Sequence, residues 1–338
     1  MATNITQHIH ENLEAKRQNV AEFLESAPES KIELCCEDEH AVHAHLQVID
    51  TALEELGEQK FGICAVCHGH VDPELLEMDY TISVCLDHYS EQERRRLEAE
   101  LELSAIVQRA LLPQIVPEIP GVELAAFSRP AAIVGGDYFD FFQFRDGTHG
   151  VVIADIPGHG VSAGMLMSSL QTAIRTMAPE TDVPSEILER INRFYLHNIN
   201  FTTFVTVFLA RYDPLTRILT YTSAGHNPPV VVRKRDANVV WLKPTAPAIG
   251  LSEEFHPRSE VVTLEQGDVM FLYTDGVTEA FNPGLEQFGS LRLAELLRKN
   301  VDLSVSEITQ AVRQGLDAFG DGHVVEDDTT FIALKVSG

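Results

Sequence analysis

The sequence has 338 residues, of which 44% are hydrophobic and 22% charged, and acidic residues outnumber basic ones by 51 to 25. This composition is typical of a globular protein with about two domains, and it excludes a chain that is disordered throughout. The formal net charge of −26 disfavours binding to nucleic acid or anionic lipid through simple electrostatics. No apolar run is long enough to cross a membrane and no secretion signal opens the sequence, so we expect a cytoplasmic protein whose five cysteines form no disulfide framework.

Residues 1–60 are predicted to form a helical region. Apolar residues repeat there at the spacing of one helical face: Val48, Ala52 and Leu56. Pro28 interrupts the pattern and indicates two helices. Cys35 and Cys36, followed by His40, His43 and His45, can be interpreted as a second metal site or a redox sensor. We favour an ordinary solvated helix, because adjacent cysteines point in different directions along a helix.

Four candidate zinc ligands lie in residues 61–93, which we predict to be a separate zinc-binding domain. They form a C-x2-C pair and, further along, a C-x2-H pair: Cys64, Cys67, Cys85 and His88. Such short knuckles bring two ligands within reach of one ion, and Zn²⁺ accepts sulfur and imidazole nitrogen in a tetrahedral site. The alternative is a set of buried cysteines without a metal.

This stretch resembles the zinc fingers of the DksA/TraR type. The resemblance is carried by "FGICAVC" and by the helical pattern in "VCLDHYSEQERRRLEAE". His88 stands where that family usually has a fourth cysteine, which leaves His68 or His70 as alternative ligands. Because closed four-ligand sites are structural, we expect one structural zinc ion and no catalysis here.

Residues 94–113 are predicted to form a linker helix. Ser90 is suited to cap it and Pro113 to stop it. A narrow apolar stripe repeats along it at i, i+4, i+7 spacing: Leu103, Val107 and Ala110. The first interpretation is a solvated linker, and the second is a coil through which two copies form a homodimer.

Residues 114–338 are predicted to form an α+β domain. Short β-rich runs bounded by Gly, Asn and Pro indicate strands, among them "GVVIAD", "TFVTVFLARY" and "DVMFLYTDG". Helical patterns lie between the strands, in "GVSAGMLMSSLQTAIRTMA" and "SLRLAELLRKN". Consecutive strands with interposed helices favour a layered α+β fold over an alternating parallel sheet.

Four aspartates of this domain are expected where an apolar strand gives way to a turn: Asp137, Asp155, Asp275 and Asp327. Any one of them alone is explained as a turn former or a helix cap. Together, with glycines beside them that let carbonyl oxygens approach an ion, they indicate a shared site. Hard oxygen ligands favour Mg²⁺ or Mn²⁺, and two such ions would activate a water for in-line attack on phosphorus.

From about residue 97 to residue 338 the sequence closely resembles the SpoIIE/RsbU branch of the metal-dependent PPM protein phosphatases. The motifs that carry the resemblance follow one another in family order: "ELELSAIVQRALLP", "GGDYFD", "IADIPGHG", "LYTDGVTEA" and "EDDTTFIAL". The resemblance implies a PPM-type α-β-β-α sandwich with two Mn²⁺ or Mg²⁺ ions at one end. It also implies hydrolysis of phosphoserine or phosphothreonine.

The resemblance further assigns roles to the acidic residues. Asp155 would bridge both ions, with the backbone carbonyl of Ile156 assisting. The other members of the metal set would be Asp137, Asp275, Asp327 and, as the support of Asp327, Asp328.

The general acid is left open by the sequence. The eukaryotic branch has a histidine two positions after the bridging aspartate, where this chain has Pro157. His159 follows two residues later, and it either protonates the leaving oxygen or only fixes the loop through a hydrogen bond. For His226 and Asn227 in "SAGHNPP" we favour a structured turn over a catalytic role.

The leading hypothesis is a serine/threonine protein phosphatase whose N-terminal module receives a signal and passes it through the linker helix. By resemblance, its substrate is a phosphorylated anti-anti-sigma protein of the STAS type. The second hypothesis makes the zinc module a binding unit that contacts RNA polymerase, with the phosphatase domain an inactive scaffold. The presence of every expected metal-binding aspartate favours the first, and no nucleic acid or membrane is expected as a direct partner.

Overall fold

The structure is a computed structural model that describes residues 13–14, 17, 47, 49–54, 56–57, 61–71, 76, 82, 84–158, 160–198, 204–322 and 327–337. The chain divides into two compact units, one that reaches Glu100 and one that begins at Leu101. Cys35, Cys36, the histidines that follow them and His159 lie outside the described residues. Within the described part, no helix is long and apolar enough to cross a bilayer.

The first unit has a small apolar core and a tight hairpin. The buried members of this core are Leu13, Ile49, Ala52, Leu56, Cys64, Val71 and Leu76. In the hairpin Ile63 bridges His70, and the Cys64 amide donates to the Gly69 carbonyl at 2.7 Å. A short 3-10 helix, Leu86–His88, follows. The hairpin carries Cys64 and Cys67 of the predicted zinc site, Cys85 directly precedes the short helix, and His88 ends it.

Helix α1 (Glu91–Leu111) follows the short helix. Its start has the predicted cap, because the Glu93 amide donates to the Ser90 hydroxyl and the Ser90 amide donates to the Glu93 carboxylate. Three apolar side chains of the predicted stripe and its surroundings are more than half exposed: Leu103, Ile106 and Val107. Ala105 and Gln108, on the other side of the helix, are buried.

The remaining elements follow in chain order. The strands are β1 (Val122–Arg129), β2 (Tyr138–Gln143), β3 (His149–Asp155), β4 (Thr206–Asp213), β5 (Ile218–Ala224), β6 (Val230–Val232), β7 (Val239–Trp241), β8 (Glu260–Thr263), β9 (Val269–Tyr273) and β10 (Thr329–Val336). The helices are α2 (Val161–Met177), α3 (Pro184–Asn198), α4 (Asp275–Thr278), α5 (Gly289–Lys299) and α6 (Val305–Gly320).

The strands form two antiparallel sheets of five strands each. The first has the order β2-β3-β4-β5-β8, and the second has the order β1-β10-β9-β6-β7. Side chains alternate between the two faces of each strand. In β2, Phe139 and Phe141 pack in the core shared by the two sheets, whereas Tyr138 and Phe142 pack in the core that contains helix α2.

Helices cover the outer face of each sheet. Helices α2 and α3 contribute Leu170, Ile174 and Ile187 to the core on the first sheet. Helices α5 and α6 contribute Leu293 and Ile308 to the core on the second. The layers are therefore α-β-β-α, which confirms the predicted α+β class and sandwich architecture.

Candidate active site

Strand pairing brings the predicted aspartates to one end of the two sheets. Asp155 is the last residue of β3, and the pairing of Tyr138 with Ala154 places Asp137 beside it. In the second sheet, Tyr273 pairs with Phe331, so Asp275 lies near the start of β10. Asp137 precedes strand β2 instead of following a strand, because "AAIVGG" forms an irregular loop.

Asp155 lies at the centre of the cluster. Burial raises the pKa of its carboxyl to about 8, and repulsion by Asp275, Asp327, Asp328 and Glu279 acts in the same direction. A carboxylate is costly to bury near other carboxylates unless positive charge compensates it. The arrangement is therefore suited to cations.

Asp137 is also buried, with 6% of its surface exposed. Burial, followed by repulsion from Asp155 and Asp328, raises the pKa of its carboxyl well above the ordinary value. The Thr274 hydroxyl donates to its Oδ2 at 2.8 Å. This hydrogen bond joins the first sheet to the second at the end that carries the acids.

Asp328 has a different environment, because its carboxylate accepts backbone hydrogen bonds. The amides of Ala131, Gly136 and Asp137 donate to it at 2.7, 2.6 and 3.3 Å. A Cβ on Gly135 would lie 2.3 Å from Asp328 Oδ2, so a side chain there would displace this carboxylate from its hydrogen bonds. Through these contacts Asp328 holds the loop before Asp137 in place.

The opposite wall of the site contains Asp275 and a residue that the sequence analysis missed, Glu279. Burial and then repulsion by Glu279 raise the pKa of Asp275, which also interacts with Asp327. Asp275 begins the short helix α4, and Glu279 follows one turn later. The i, i+4 spacing within "TDGVTEA" was the signal that could have identified Glu279.

The backbone carbonyl of Ile156 adjoins the glycine turn before Asp137. A Cβ on Gly136 would lie 2.2 Å from this oxygen and 3.0 Å from the carbonyl oxygen of Gly158. The missing side chain therefore leaves a cradle lined by oxygen atoms. Oxygen ligands with this degree of negative charge match Mg²⁺ or Mn²⁺ and not softer metals.

Helix α1 reaches the same loop through Gln108, which the sequence analysis also missed. Its side-chain amide donates to the carbonyl of Gly135, and its oxygen accepts from the Gly135 amide at 3.2 Å. Gln108 is 8% exposed. A glutamine inside an amphipathic helix gives no local signal of this contact, because its partner lies 27 residues away in the chain.

Two histidines were considered as the general acid, and the structure describes only one of them. His159 lies outside the described residues, so its role stays a prediction. His226 is 1% exposed, and burial lowers the pKa of its imidazole to about 3. An imidazole with that pKa is neutral at pH 7 and is not the imidazolium that acts as an acid, so His226 is unsuited to protonate a leaving group.

The predicted zinc ligands come together in the first unit. The ligand atoms of Cys64, Cys67, Cys85 and His88 all lie within 4.8 Å of one another. Amides of Val66 and Cys85 donate to the Cys64 sulfur at 3.4 Å, as is usual for thiolate ligands. In the described part of the chain, the carboxylates of the acidic cluster form no set as tight as this.

Comparison with known proteins identifies the family. The sequence profile of the family described as Stage II sporulation protein E (SpoIIE) matches residues 145–337. The chain belongs to the SpoIIE family. Phosphoserine phosphatase RsbU of Bacillus subtilis is 30% identical over 269 residues, which are 76% of this chain and 78% of RsbU.

Two solved structures resemble the SpoIIE-family domain. The PP2C domain of SiaA from Pseudomonas aeruginosa covers 72% of this chain and 98% of its own, with a TM-score of 0.64 and 23% identity. The RsbU and RsbW domains of a Mycobacterium tuberculosis protein give a TM-score of 0.57 at 30% identity, covering 67% of this chain and 63% of theirs. Fold and family together make this protein a metal-dependent serine/threonine protein phosphatase of the PP2C type, as predicted.

Proposed function

We propose that the acidic cluster at the end of the two sheets is the reaction centre and binds two Mn²⁺ or Mg²⁺ ions. The observation that carries this proposal is the convergence of carboxylates from distant parts of the chain around the buried Asp155. Burial and these neighbours raise the pKa of Asp155 to about 8. Clusters of this kind are found where a protein binds cations or performs chemistry. An inactive scaffold would have no need to keep these acids together.

The residues that would hold the ions are Asp155, which would be shared between them, the Ile156 carbonyl, Asp137, Asp275 and Asp327. When bound, the ions supply charge compensation and an activated water for in-line attack on phosphorus. Asp328 orients the loop through its three backbone hydrogen bonds and supports Asp327, whose Oδ1 accepts from the Asp328 amide at 2.8 Å. His159 is our candidate for the group that either protonates the leaving oxygen or fixes the loop.

The proposed substrate is a phosphorylated STAS-type anti-anti-sigma protein. Two observations support it: the chain matches RsbU over 78% of that phosphoserine phosphatase, and a similar solved structure contains RsbU and RsbW domains. Hydrolysis would return the regulator to its unphosphorylated form. The protein would thus act in sigma-factor regulation under control of its N-terminal module, and we propose that it works in the cytoplasm.

We propose that helix α1 transmits the signal and also forms the homodimer contact. Leu103, Ile106 and Val107 expose 60%, 58% and 54% of their surfaces, which leaves an apolar stripe without cover in the described structure. The buried face of the same helix holds Gln108 against the loop before Asp137. A second copy packed on the stripe would be able to shift that contact.

We also propose that Cys64, Cys67, Cys85 and His88 bind one structural zinc ion in a DksA/TraR-like finger. The support is their mutual distance, within 4.8 Å, and the mixed thiolate and imidazole donor set. Elemental analysis should find one zinc per chain. A Cys67→Ser variant should lose it while retaining Mn²⁺-dependent phosphatase activity on a small phosphoester.

The test of the main proposal is phosphate release from a phosphoserine-containing STAS protein and from a small phosphoester, with and without Mn²⁺. We expect release only with added metal, and faster release from the protein substrate. Equal activity after complete chelation would contradict the metal mechanism. Metal-dependent release from the phosphoester but not from the STAS protein would contradict the substrate assignment alone.

A further inference from the structure

His226 lies where the chain crosses from one sheet to the other. It follows β5 of the first sheet and precedes β6 of the second. Gly225, just before it, has a φ of +65°, and a Cβ there would lie 2.9 Å from Ala248. The Gly225 amide also donates to the Ala246 carbonyl at 2.9 Å. The crossing is therefore fixed, and it holds the imidazole in one buried position.

One ring nitrogen of His226 contacts the strand beside Asp155. Nδ1 lies 2.8 Å from the hydroxyl oxygen of Thr206. Thr206 is the pairing partner of Asp155 across β3 and β4, and its hydroxyl lies 3.5 Å from the Asp155 carbonyl oxygen. The imidazole therefore supports the point where β3 ends and the chain turns into Ile156.

The ring also faces the second sheet. The backbone carbonyl of Tyr273 interacts with the imidazole, and Tyr273 is the last residue of β9. Nε2 is buried and has no hydrogen-bond partner among the described residues. The hydrogen bond between Nδ1 and the Thr206 hydroxyl runs in the direction set by the ring tautomer.

We infer that His226 is a positioning residue that sets the separation between the strand end carrying Asp155 and the strand end leading to Asp275. Hydrogen bonds within each sheet fix the strands of that sheet, but they do not fix the distance from one sheet to the other. A rigid ring that is hydrogen-bonded to Thr206 of the first sheet and lies beside the Tyr273 backbone of the second supplies this constraint, together with the hydrogen bond from Thr274 to Asp137. The inference rests on the proposed metal site, because the two aspartates have to be held at the separation that the ions require.

The experiment uses variants that remove one side of the link at a time. His226→Asn places an amide near the position of Nδ1 and keeps a partner for Thr206. His226→Gln extends the amide to the buried position of Nε2 and removes the ring nitrogen that contacts Thr206. Thr206→Val removes the hydroxyl while leaving the imidazole intact.

The matched control is Thr222→Val, which makes the same isosteric change at a buried threonine of the first sheet. The Thr222 hydroxyl lies 3.0 Å from the Ser259 hydroxyl, so this variant also loses a hydrogen bond. It does not touch His226 or the acidic cluster in the contacts described above. If removing a buried hydroxyl were enough to weaken Mn²⁺ binding, Thr222→Val would weaken it as well.

The readout is the Mn²⁺ dissociation constant of the full chain, measured by calorimetry after chelation and with one equivalent of Zn²⁺ returned. Residues that orient metal ligands typically change metal affinity by about 10–100-fold. We expect His226→Asn, His226→Gln and Thr206→Val each to weaken Mn²⁺ binding within that range, with Thr222→Val unchanged. The double variant of Thr206→Val with His226→Gln should lose less than the sum of the single losses, because both changes break one link.

Unchanged Mn²⁺ affinity in all three variants, with a wild-type protein that binds Mn²⁺ and releases phosphate, would overturn the inference and leave the proposed function standing. An equal loss in Thr222→Val would overturn it as well, since it would reveal a general loss of stability. If the His226 variants do not fold, Thr206→Val decides the question alone. A wild-type protein that neither binds Mn²⁺ nor releases phosphate would refute the proposed function and this inference together.

Discussion

At the scale of single residues, the acids of the site have different physical tasks although they share one chemical group. Asp155 faces other carboxylates, and burial together with their charge raises its pKa to about 8. Asp328 instead accepts three backbone hydrogen bonds, which hold the loop before Asp137. The environment therefore separates residues that need a cation from one that already has partners.

Replacing Asp155 with Asn should abolish phosphatase activity without unfolding the protein. The change removes the central charge of the proposed metal site but keeps the side-chain volume, so we expect kcat to fall by at least about 1,000-fold, roughly 4 kcal/mol of transition-state stabilisation. Phosphate release and the unfolding temperature would be measured together. Asp146→Asn is the control, because Asp146 pairs with Arg211 at the other end of β3 and should leave activity unchanged.

Asp155→Asn should also change how the stability of the metal-free protein, prepared with a chelator, depends on pH. An acid whose pKa rises from 3.8 to about 8 on folding binds more protons in the folded state across that window, so stability falls as pH rises through it. Between pH 5 and 7.5 the wild-type free energy of unfolding should fall by about 3 kcal/mol relative to that of Asp155→Asn. Parallel curves from denaturant unfolding of the two proteins would contradict this.

At the scale of elements, helix α1, helix α2 and the loop before Asp137 meet at one point. Gln108 binds Gly135 of the loop, and a Cβ on Gly164 of α2 would lie 2.6 Å from Val134 and 3.4 Å from the Gln108 amide nitrogen. The C-terminal part of α2 is tied to strand β2, because Arg175 makes two hydrogen bonds of 2.6 Å to the buried Asp140. A displacement of α1 would therefore act directly on the loop that presents Asp137.

Gln108→Ala should lower phosphatase activity, and its structural effect should be confined to the loop before Asp137. The change leaves the N–H and C=O of Gly135 without their partner, at a cost of about 1–3 kcal/mol for a buried group. We expect weaker Mn²⁺ activation, measured as the metal concentration that gives half-maximal phosphate release. Gln114→Ala is the control, because the Gln114 amide donates to the Arg109 and Leu112 carbonyls at the C-terminal end of helix α1, away from the loop before Asp137. Equal effects of the two changes would contradict the specific role of Gln108.

At the scale of the whole molecule, the second unit contains three hydrophobic cores built from its own residues. One lies between the sheets and one on the outer face of each sheet. The small core that surrounds Cys64 belongs to the first unit. The phosphatase fold should therefore persist without the zinc module.

A fragment of residues 91–338 should fold cooperatively and hydrolyse a small phosphoester in the presence of Mn²⁺. It retains helix α1 and every core of the second unit. Regulation, in contrast, should be lost with the first unit. Circular dichroism, thermal unfolding and phosphate release would test the fragment, and an unfolded or inactive product would show that the first unit is required for more than regulation.

The sequence was enough to predict the sandwich, the family, the clustering of Cys64, Cys67, Cys85 and His88, and most of the acidic cluster. These features are encoded locally, in alternating strands, in paired metal ligands and in short motifs around aspartates. Strands β1, β2, β7 and β8 and helices α3, α4 and α6 were not among the predicted elements. In β2 both faces are buried, so "YFDFFQ" lacks the alternation of polar and apolar residues that identifies a half-buried strand.

The tertiary structure alone decided how the acids divide their tasks. The Gly136 amide and the Asp328 carboxylate are 192 positions apart, and the Thr274 hydroxyl is 137 positions from Asp137. The same is true of Gln108 and His226, whose environments depend on elements that are distant in sequence. Residue type and spacing determine which side chains can bind a metal, but burial and hydrogen bonding depend on long-range packing, and those two factors set the charge and position of each group.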